Sequence, residues 1–263
     1  MRREPGLKAR LRAGETVVGT FLNLGSPLAV EVCGLAGFDW LLIDMEHGGG
    51  GEATLIAHLL AAENTGAHPV VRVEGPARQR IGRVLDMDAE GIMVPRVESA
   101  AEAKEIAAHL HFPPLGDRGV AAGNRFGAFA TRADYVDSAP ERVTGIVQIE
   151  TPAGVADAGE IAAVPGIDVL FIGPRDLSLS LGIMGQTSHP EFRRAVVEVR
   201  RACDAAGKAT GILLPGPAAV PQALEDGFRF IGVGSDSGFI LEVAKAAVES
   251  VRSGLRQAAG VET

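Results

Sequence analysis

Eight short apolar runs, each followed by a stretch of helical character, divide this chain between Thr16 and Val251. They are Thr16–Leu22, Trp40–Asp44, Pro69–Val73, Gly91–Pro95, Gly145–Ile149, Val169–Ile172, Lys208–Leu214 and Phe228–Val233. Runs such as WLLID at Trp40–Asp44 have no polar alternation, as expected of strands buried on both faces. Strict alternation of strand and helix predicts parallel β/α units, and eight of them predict a TIM (β/α)8 barrel rather than an open sheet. The length of 263 residues suits such a barrel, which commonly needs roughly 250. A short helix at Leu7–Ala13 precedes the first strand, and Ser99 followed by Glu102 has the pattern of a capping box opening the helix to His109. No linker, charge block or low-complexity tract interrupts the series, so residues 1–263 are expected to form one domain.

Residues 110–143 break the rhythm with a segment rich in Gly, Pro, Phe and Arg. A loop this long in a compact domain is more often functional or an interface than idle. Its Phe112, Phe126, Phe129 and Tyr135 would leave a large apolar patch on a monomer. A partner that covers this patch is therefore expected. The competing account folds the aromatics inward over their own barrel.

The balance of 25 basic against 33 acidic residues, net −8, excludes a general affinity for nucleic acid or anionic membrane surfaces. No apolar run reaches the length of a membrane span, and the Arg-rich start carries Glu4 and Glu15 and leads straight into a strand. Cys33 and Cys203 form no metal or redox motif. A reduced, cytoplasmic protein is the expectation.

Polar residues gather at the predicted strand C-termini, where β/α barrels place their active sites. Asp44, Glu46 and His47 follow the second strand, Arg72 ends the third, Glu150 follows the fifth and Asp176 the sixth. Glu150 and Asp176 are hard oxygen donors on adjacent strands, with no cysteine near, and suit Mg²⁺ or Mn²⁺. Helix capping is an equally good account of either carboxylate alone. His47 lies three residues after Asp44, so that a carboxylate would orient its ring as a general base; a plain loop histidine is the alternative. Arg72 within an apolar run requires an anionic partner, either a structural carboxylate or a bound oxyanion. Gly173-Pro174-Arg175-Asp176 places backbone amides at a strand-to-helix turn, where they bind carboxylate or phosphate.

The segments AGFDWLLIDMEHG (36–48), PVVRV (69–73), VQIETPAG (147–154) and FIGPRDLSLSLG (171–182) resemble those of the HpcH/HpaI aldolase family. The similarity runs in order from about Gly19 to Val251. The resemblance implies a divalent-metal-dependent (class II) aldolase that cleaves 4-hydroxy-2-oxo acids to pyruvate and an aldehyde. It also implies a homo-oligomer, a hexamer built as a trimer of dimers, with the 110–143 insertion and the closing helix (Phe239–Val251) packed between subunits. On this likeness Glu150 and Asp176 hold Mg²⁺, Mn²⁺ or Co²⁺, and Arg72 binds the keto oxygen. His47, oriented by Asp44, takes the C4 hydroxyl proton. The amides of Arg175 and Asp176, beside Gly173 and Pro174, bind the pyruvate carboxylate, with Gln148 nearby. Asp86 stands where the family has an acidic residue after its third strand, and would support the site from behind. Phe21 and Leu213 correspond to the apolar side of the aldehyde pocket. Met45 and Arg175 depart from residues common in the family, Gly and a small residue respectively.

Two other lyases share the barrel and the carboxylates: an acyl-CoA lyase of the malyl- or citryl-CoA type, and an oxaloacetate decarboxylase. CoA would need a basic cluster for its phosphates, and the sequence has no clear one. Decarboxylation needs the metal and Arg72 but not necessarily His47. A binding barrel without activity is disfavoured by the joint presence of acid pair, base and anion clamp.

Overall fold

The computed structural model describes residues 5–258. Its eight strands close in sequence order into a parallel barrel, β1 pairing with both β2 and β8. They are β1 (Val17–Leu22), β2 (Trp40–Asp44), β3 (His68–Arg72), β4 (Gly91–Val94), β5 (Thr144–Ile149), β6 (Val169–Ile172), β7 (Ala209–Leu214) and β8 (Phe230–Ser235). Helix α1 (Leu7–Arg12) precedes them, and α2 (Pro27–Leu35), α3 (Glu52–Thr65), α4 (Arg78–Asp86) and α5 (Ala100–Leu110) follow the first four strands. The short α6 (Ala139–Arg142) leads into β5, and α7 (Pro152–Ala156) and α8 (Ala158–Ala162) leave it. Then come α9 (Pro174–Ser180), α10 (Pro190–Ala206), α11 (Val220–Glu225) and α12 (Asp236–Ala258). The expected TIM barrel is thus observed, and Ser99 caps α5 by accepting from the Glu102 amide.

Alternate residues of each strand point inward and fill the barrel. Trp40 stacks on Phe230 with ring centroids 4.2 Å apart, and Phe171 and Phe21 complete an aromatic layer. Gly19 makes room for the indole: a Cβ there would lie 2.1 Å from the Trp40 ring. Small beside large is how a barrel interior reaches core density without voids. The second apolar layer, between strands and helices, is larger and includes Leu41, Ile43, Val71, Ile92, Val147, Leu170 and Ile172.

The two ends of the barrel differ. At the strand N-termini α1 forms a plug, with Leu7 and Leu11 buried among the interior residues. The Leu7 amide donates to Glu90 Oε1 at 2.7 Å, and Glu90 Oε2 pairs with His68 Nδ1 at 2.9 Å. Buried Lys8 reaches Asp168 at 3.1 Å and the Val143 carbonyl. The opposite end stays open.

The insertion corrects one expectation. Phe112 and Phe126 are buried and Tyr135 is half-buried, Phe112 meeting each of the other two edge-on at about 6 Å. The Arg118 guanidinium is held between the Phe112 and Phe126 rings, 4.5 and 4.0 Å from their centroids, and pairs with Asp86. Arg142 covers Phe126 at 4.2 Å. Phe126 is therefore no interface residue, because two cations and a second ring satisfy it within the chain. Phe129 alone of the four is exposed. Apolar side chains also remain outside on α2 (Leu28, Val32, Leu35) and on α12 (Ile240, Leu241, Val243, Val248, Val251).

Candidate active site

Asp44 and Arg72 are register partners at the C-terminal ends of β2 and β3, and their side chains meet across the barrel mouth. Arg72 Nε donates to Asp44 Oδ1 at 3.0 Å and Nη2 to Oδ2 at 2.6 Å, a bidentate pair. Arg72 Nη1 also faces Glu46 Oε2 at 3.1 Å and Gln148 Oε1 at 3.4 Å. Gln148 Nε2 in turn donates to Glu150 Oε1 at 2.9 Å, and Glu150 Oε2 accepts from the Arg96 amide at 3.1 Å. One connected network therefore runs from β2 to β5. Burial is the largest influence on Arg72 and opposes its charge, but Asp44, Glu46 and Glu150 outweigh it and hold the guanidinium above its ordinary value. Phe21 lies under the same guanidinium, 5.4 Å from ring centroid to Cζ.

Glu150 is buried, and its carboxyl is pushed up to about 7, first by burial and then by the neighbouring charge of Asp176. Glu46 is also raised, by burial first, with Asp44 and Asp176 adding to it against Arg72 and His47. Gly173 is what lets Glu150 lie where it does. A Cβ at that position would be 2.3 Å from Glu150 Oε1. Asp176 follows in the first turn of α9 and is exposed. The site thus collects Asp44, Glu46, Glu150 and Asp176 against one buried cation that two of them already occupy. Buried Glu150, beside the charge of Asp176, is short of countercharge.

The Asp44–His47 relation differs from the sequence expectation. Asp44 does not reach the His47 ring; its Oδ1 accepts from the amides of Glu46 and His47, at 3.1 and 3.2 Å, while both oxygens hold Arg72. The carboxylate fixes the turn that carries the histidine, and the exposed imidazole faces Glu46, with Nε2 3.8 Å from Oε2. Asp86 is also displaced from its expected place. It ends α4, the helix returning from the open end, and binds Arg118 of the insertion. Leu213 packs on the interior aromatic layer, and Arg175 is exposed beside Asp176.

The sequence profile described as HpcH/HpaI aldolase/citrate lyase matches residues 17–242. This chain belongs to that family. Within it, the hydroxypyruvate/pyruvate aldolase of Paraburkholderia phytofirmans is 39% identical, the match covering 94% of this chain and 97% of that protein. A 5-keto-4-deoxy-D-glucarate aldolase of Shigella boydii is 40% identical, over 88% of this chain and 90% of that one. The crystal structure of an HpcH/HpaI aldolase/citrate lyase family protein from Burkholderia cenocepacia J2315 superposes with a TM-score of 0.90. It is 39% identical and covers 94% of this chain and 98% of its own. This HpcH/HpaI family member is an enzyme, a carbon–carbon lyase of the aldolase kind.

Two contributors escaped the sequence reading of this family member. Glu46 was visible beyond the second strand, but nothing in the sequence showed that it would share Arg72 with Asp44. The Arg96 amide reaches Glu150 because Arg96 adopts a left-handed backbone, φ 52°. No residue type announces that conformation, which a non-glycine residue adopts only where its surroundings impose it.

Proposed function

We propose that this protein is a divalent-metal-dependent aldolase cleaving 4-hydroxy-2-oxo acids to pyruvate and an aldehyde. The observation that carries the reading is the unneutralised pair Glu150 and Asp176, the first buried and raised to about 7 beside the second. Arg72 is the cation that lowers Glu150, and it is bound to Asp44 and Glu46. A divalent cation held by the two carboxylates fits this deficit, and oxygen donors of this kind suit Mg²⁺, Mn²⁺ or Co²⁺. Two carboxylates would supply only part of such a cation's oxygen shell, leaving positions for substrate oxygens. When bound, such a cation supplies Lewis-acid stabilisation of negative charge on the substrate's keto and carboxylate oxygens.

The chain's own groups do the rest. The first-turn amides of Arg175 and Asp176, with Gly173 and Pro174 shaping the turn, hold the pyruvyl carboxylate. Arg72 donates to the keto oxygen, and its fixed, desolvated guanidinium favours the enolate in which that oxygen is negative. Gln148 keeps Arg72 and Glu150 in register. His47 takes the C4 hydroxyl proton as the C3–C4 bond breaks, the electron pair passing to the 2-oxo group as the pyruvate enolate. Protonation at C3 then gives pyruvate. In the present structure the imidazole is exposed, so its loop closes over bound substrate in this scheme. Phe21 and Leu213 form the apolar wall for the aldehyde half.

The deciding assay adds a panel of aldehydes to pyruvate, with Mg²⁺, Mn²⁺ or Co²⁺ or with excess chelator, and detects adducts. Metal-restored adduct formation supports the reading; full activity in chelator contradicts it. The same family member is proposed to assemble as a homo-oligomer, a hexamer, supported by the exposed apolar residues of α2 and α12. Light scattering at micromolar concentration should give a multiple of 27.3 kDa, and a monomer refutes the assembly.

A further inference from the structure

Four successive glycines, residues 48–51, follow His47 in the loop between β2 and α3. Glycine loses more conformational freedom on ordering than any other residue, so such a loop needs outside anchors if it is to hold a base in place. The near end has its anchor in Asp44, which takes the amides of Glu46 and His47. The far end is held by the neighbouring β1–α2 loop, where the Gly49 amide donates to the Asn23 carbonyl at 2.8 Å. Beside that bond the backbones of Gly25 and Gly50 touch. A Cβ on Gly25, whose φ is 66°, would lie 2.6 Å from the Gly50 nitrogen.

The β1–α2 loop is itself held from its other side by Asp236, the first residue of α12. This buried carboxylate accepts from the Asn23 amide with Oδ1 at 3.0 Å and from the Leu24 amide with Oδ2 at 3.2 Å. Capping of α12 does not account for the placement. Oδ1 also takes the adjacent Ser237 amide, but the Gly238 amide goes to Ser235 Oγ, so the helix has a cap of its own. Two charge-assisted bonds to amides 213 and 212 residues away commit the carboxylate to the loop. One line of contacts therefore crosses three adjacent strand ends, from β8 through β1 to β2, and finishes two residues from His47.

We infer that Asp236 is a positioning residue for His47: by holding the β1–α2 loop it fixes the far end of the loop that carries the base. Closure over substrate then moves only the few residues between two anchors, Asp44 and the Asn23 carbonyl. This rests on the aldolase reading above, in which His47 takes the C4 hydroxyl proton. Without the tether the imidazole spreads over more positions, and a displacement of about 1 Å costs on the order of 10²-fold in rate. Steps that do not use His47 keep their rate.

The test compares two reactions with Mg²⁺ present: cleavage of the adduct that pyruvate gives with the most reactive aldehyde of the panel, and oxaloacetate decarboxylation. Wild type, Asp236→Asn, Gly25→Ala and Gly37→Ala are assayed. Gly37 also has a positive φ, 99°, but nothing within 4 Å of its Cβ, and it serves as the stability control. Asp236→Asn and Gly25→Ala should each lower kcat for cleavage on the order of 10- to 100-fold, with KM and decarboxylation within about threefold of wild type. Gly37→Ala should lower stability and leave the ratio of the two rates unchanged. Hydrogen–deuterium exchange of the Mg²⁺-loaded protein reads the tether without the chemistry. Peptides covering residues 45–51 should exchange on the order of tenfold faster in Asp236→Asn and Gly25→Ala, and those of α5 at the wild-type rate. Should Asp236→Asn fail to fold, Gly25→Ala decides. An equal loss of both reactions, unchanged exchange at residues 45–51, or the same shift of ratio in Gly37→Ala overturns the inference and leaves the aldolase reading standing. If wild type adds pyruvate to no aldehyde at all, the aldolase reading falls and takes this inference with it.

Discussion

The two ends of the barrel treat buried charge in opposite ways. At the closed end the buried charges of Lys8 and Glu90 are met within the chain: Lys8 by Asp168, and Glu90 by His68 Nδ1 and the Leu7 amide. At the open end Asp44, Glu46 and Glu150 share Arg72, and Glu150, beside the further charge of Asp176, is pushed up to about 7. Matched pairs fix a plug in place, and breaking one exposes the cost of its burial. An unmatched acid pair costs stability in the free protein and stores affinity for a cation. On the proposed function, the closed end serves the fold and the open end a ligand.

That contrast is easiest to break at Glu150. Glu150→Gln or Asp176→Asn should lower turnover on the order of 10³-fold or more, measured by steady-state kinetics with saturating Mn²⁺, because electrostatic stabilisation of the enolate is lost. The same Glu150→Gln protein should not be less stable without metal. In the folded state Glu150 retains its proton up to about 7, whereas the unfolded carboxyl releases it near the ordinary value of 4.5. The native state therefore binds more protons between those values, and stability falls as pH rises through them. Removing that carboxyl should raise metal-free stability at pH 8 on the order of 1–3 kcal/mol, read by urea unfolding. A loss of stability would mean that Glu150 is a structural acid.

At the closed end the signs reverse. Lys8→Met strands Asp168 and should cost about 3 kcal/mol or more in the same unfolding experiment. Its kcat per folded molecule should stay at the wild-type value. A large drop in kcat without loss of stability would erase the distinction between the ends.

His47→Ala sharpens the picture within the open end. Loss of a positioned general base should reduce aldol cleavage on the order of 10²- to 10⁴-fold. Oxaloacetate decarboxylation, which deprotonates no hydroxyl, should be spared. An equal fall in both would make His47 a residue that orders the βα turn, as Asp44 does through the amides of Glu46 and His47.

The barrel was legible in the sequence because both-face burial leaves uninterrupted apolar runs, and eight such runs leave little topological freedom. The rim residues were legible for a related reason, since a polar residue directly after such a run falls at the open end. Pairings were less legible. Asp44 looked like a partner for the His47 ring because it lies three residues away, but its strand neighbour Arg72 lies in bidentate reach and takes both oxygens. Asp86 looked near the site because it follows β3; a nine-residue helix carries it away to Arg118. Phe126 looked like an interface residue because composition does not show which cation will cover a ring, and Arg118 and Arg142 both do. Each miss concerns a contact between segments distant in sequence, where spacing carries no information.

Glu150 and Asp176 are proposed to be a carboxylate pair made for a divalent cation. Mn²⁺ titration followed by electron paramagnetic resonance, from pH 5.5 to 8.5, tests it on the protein without substrate. The account predicts one bound ion per chain, lost in Glu150→Gln and in Asp176→Asn. It also predicts a Kd that weakens about tenfold per pH unit below about 7 and levels off above, as one proton leaves Glu150 on binding. Saturable binding that both variants retain, or no binding at any pH, would contradict it.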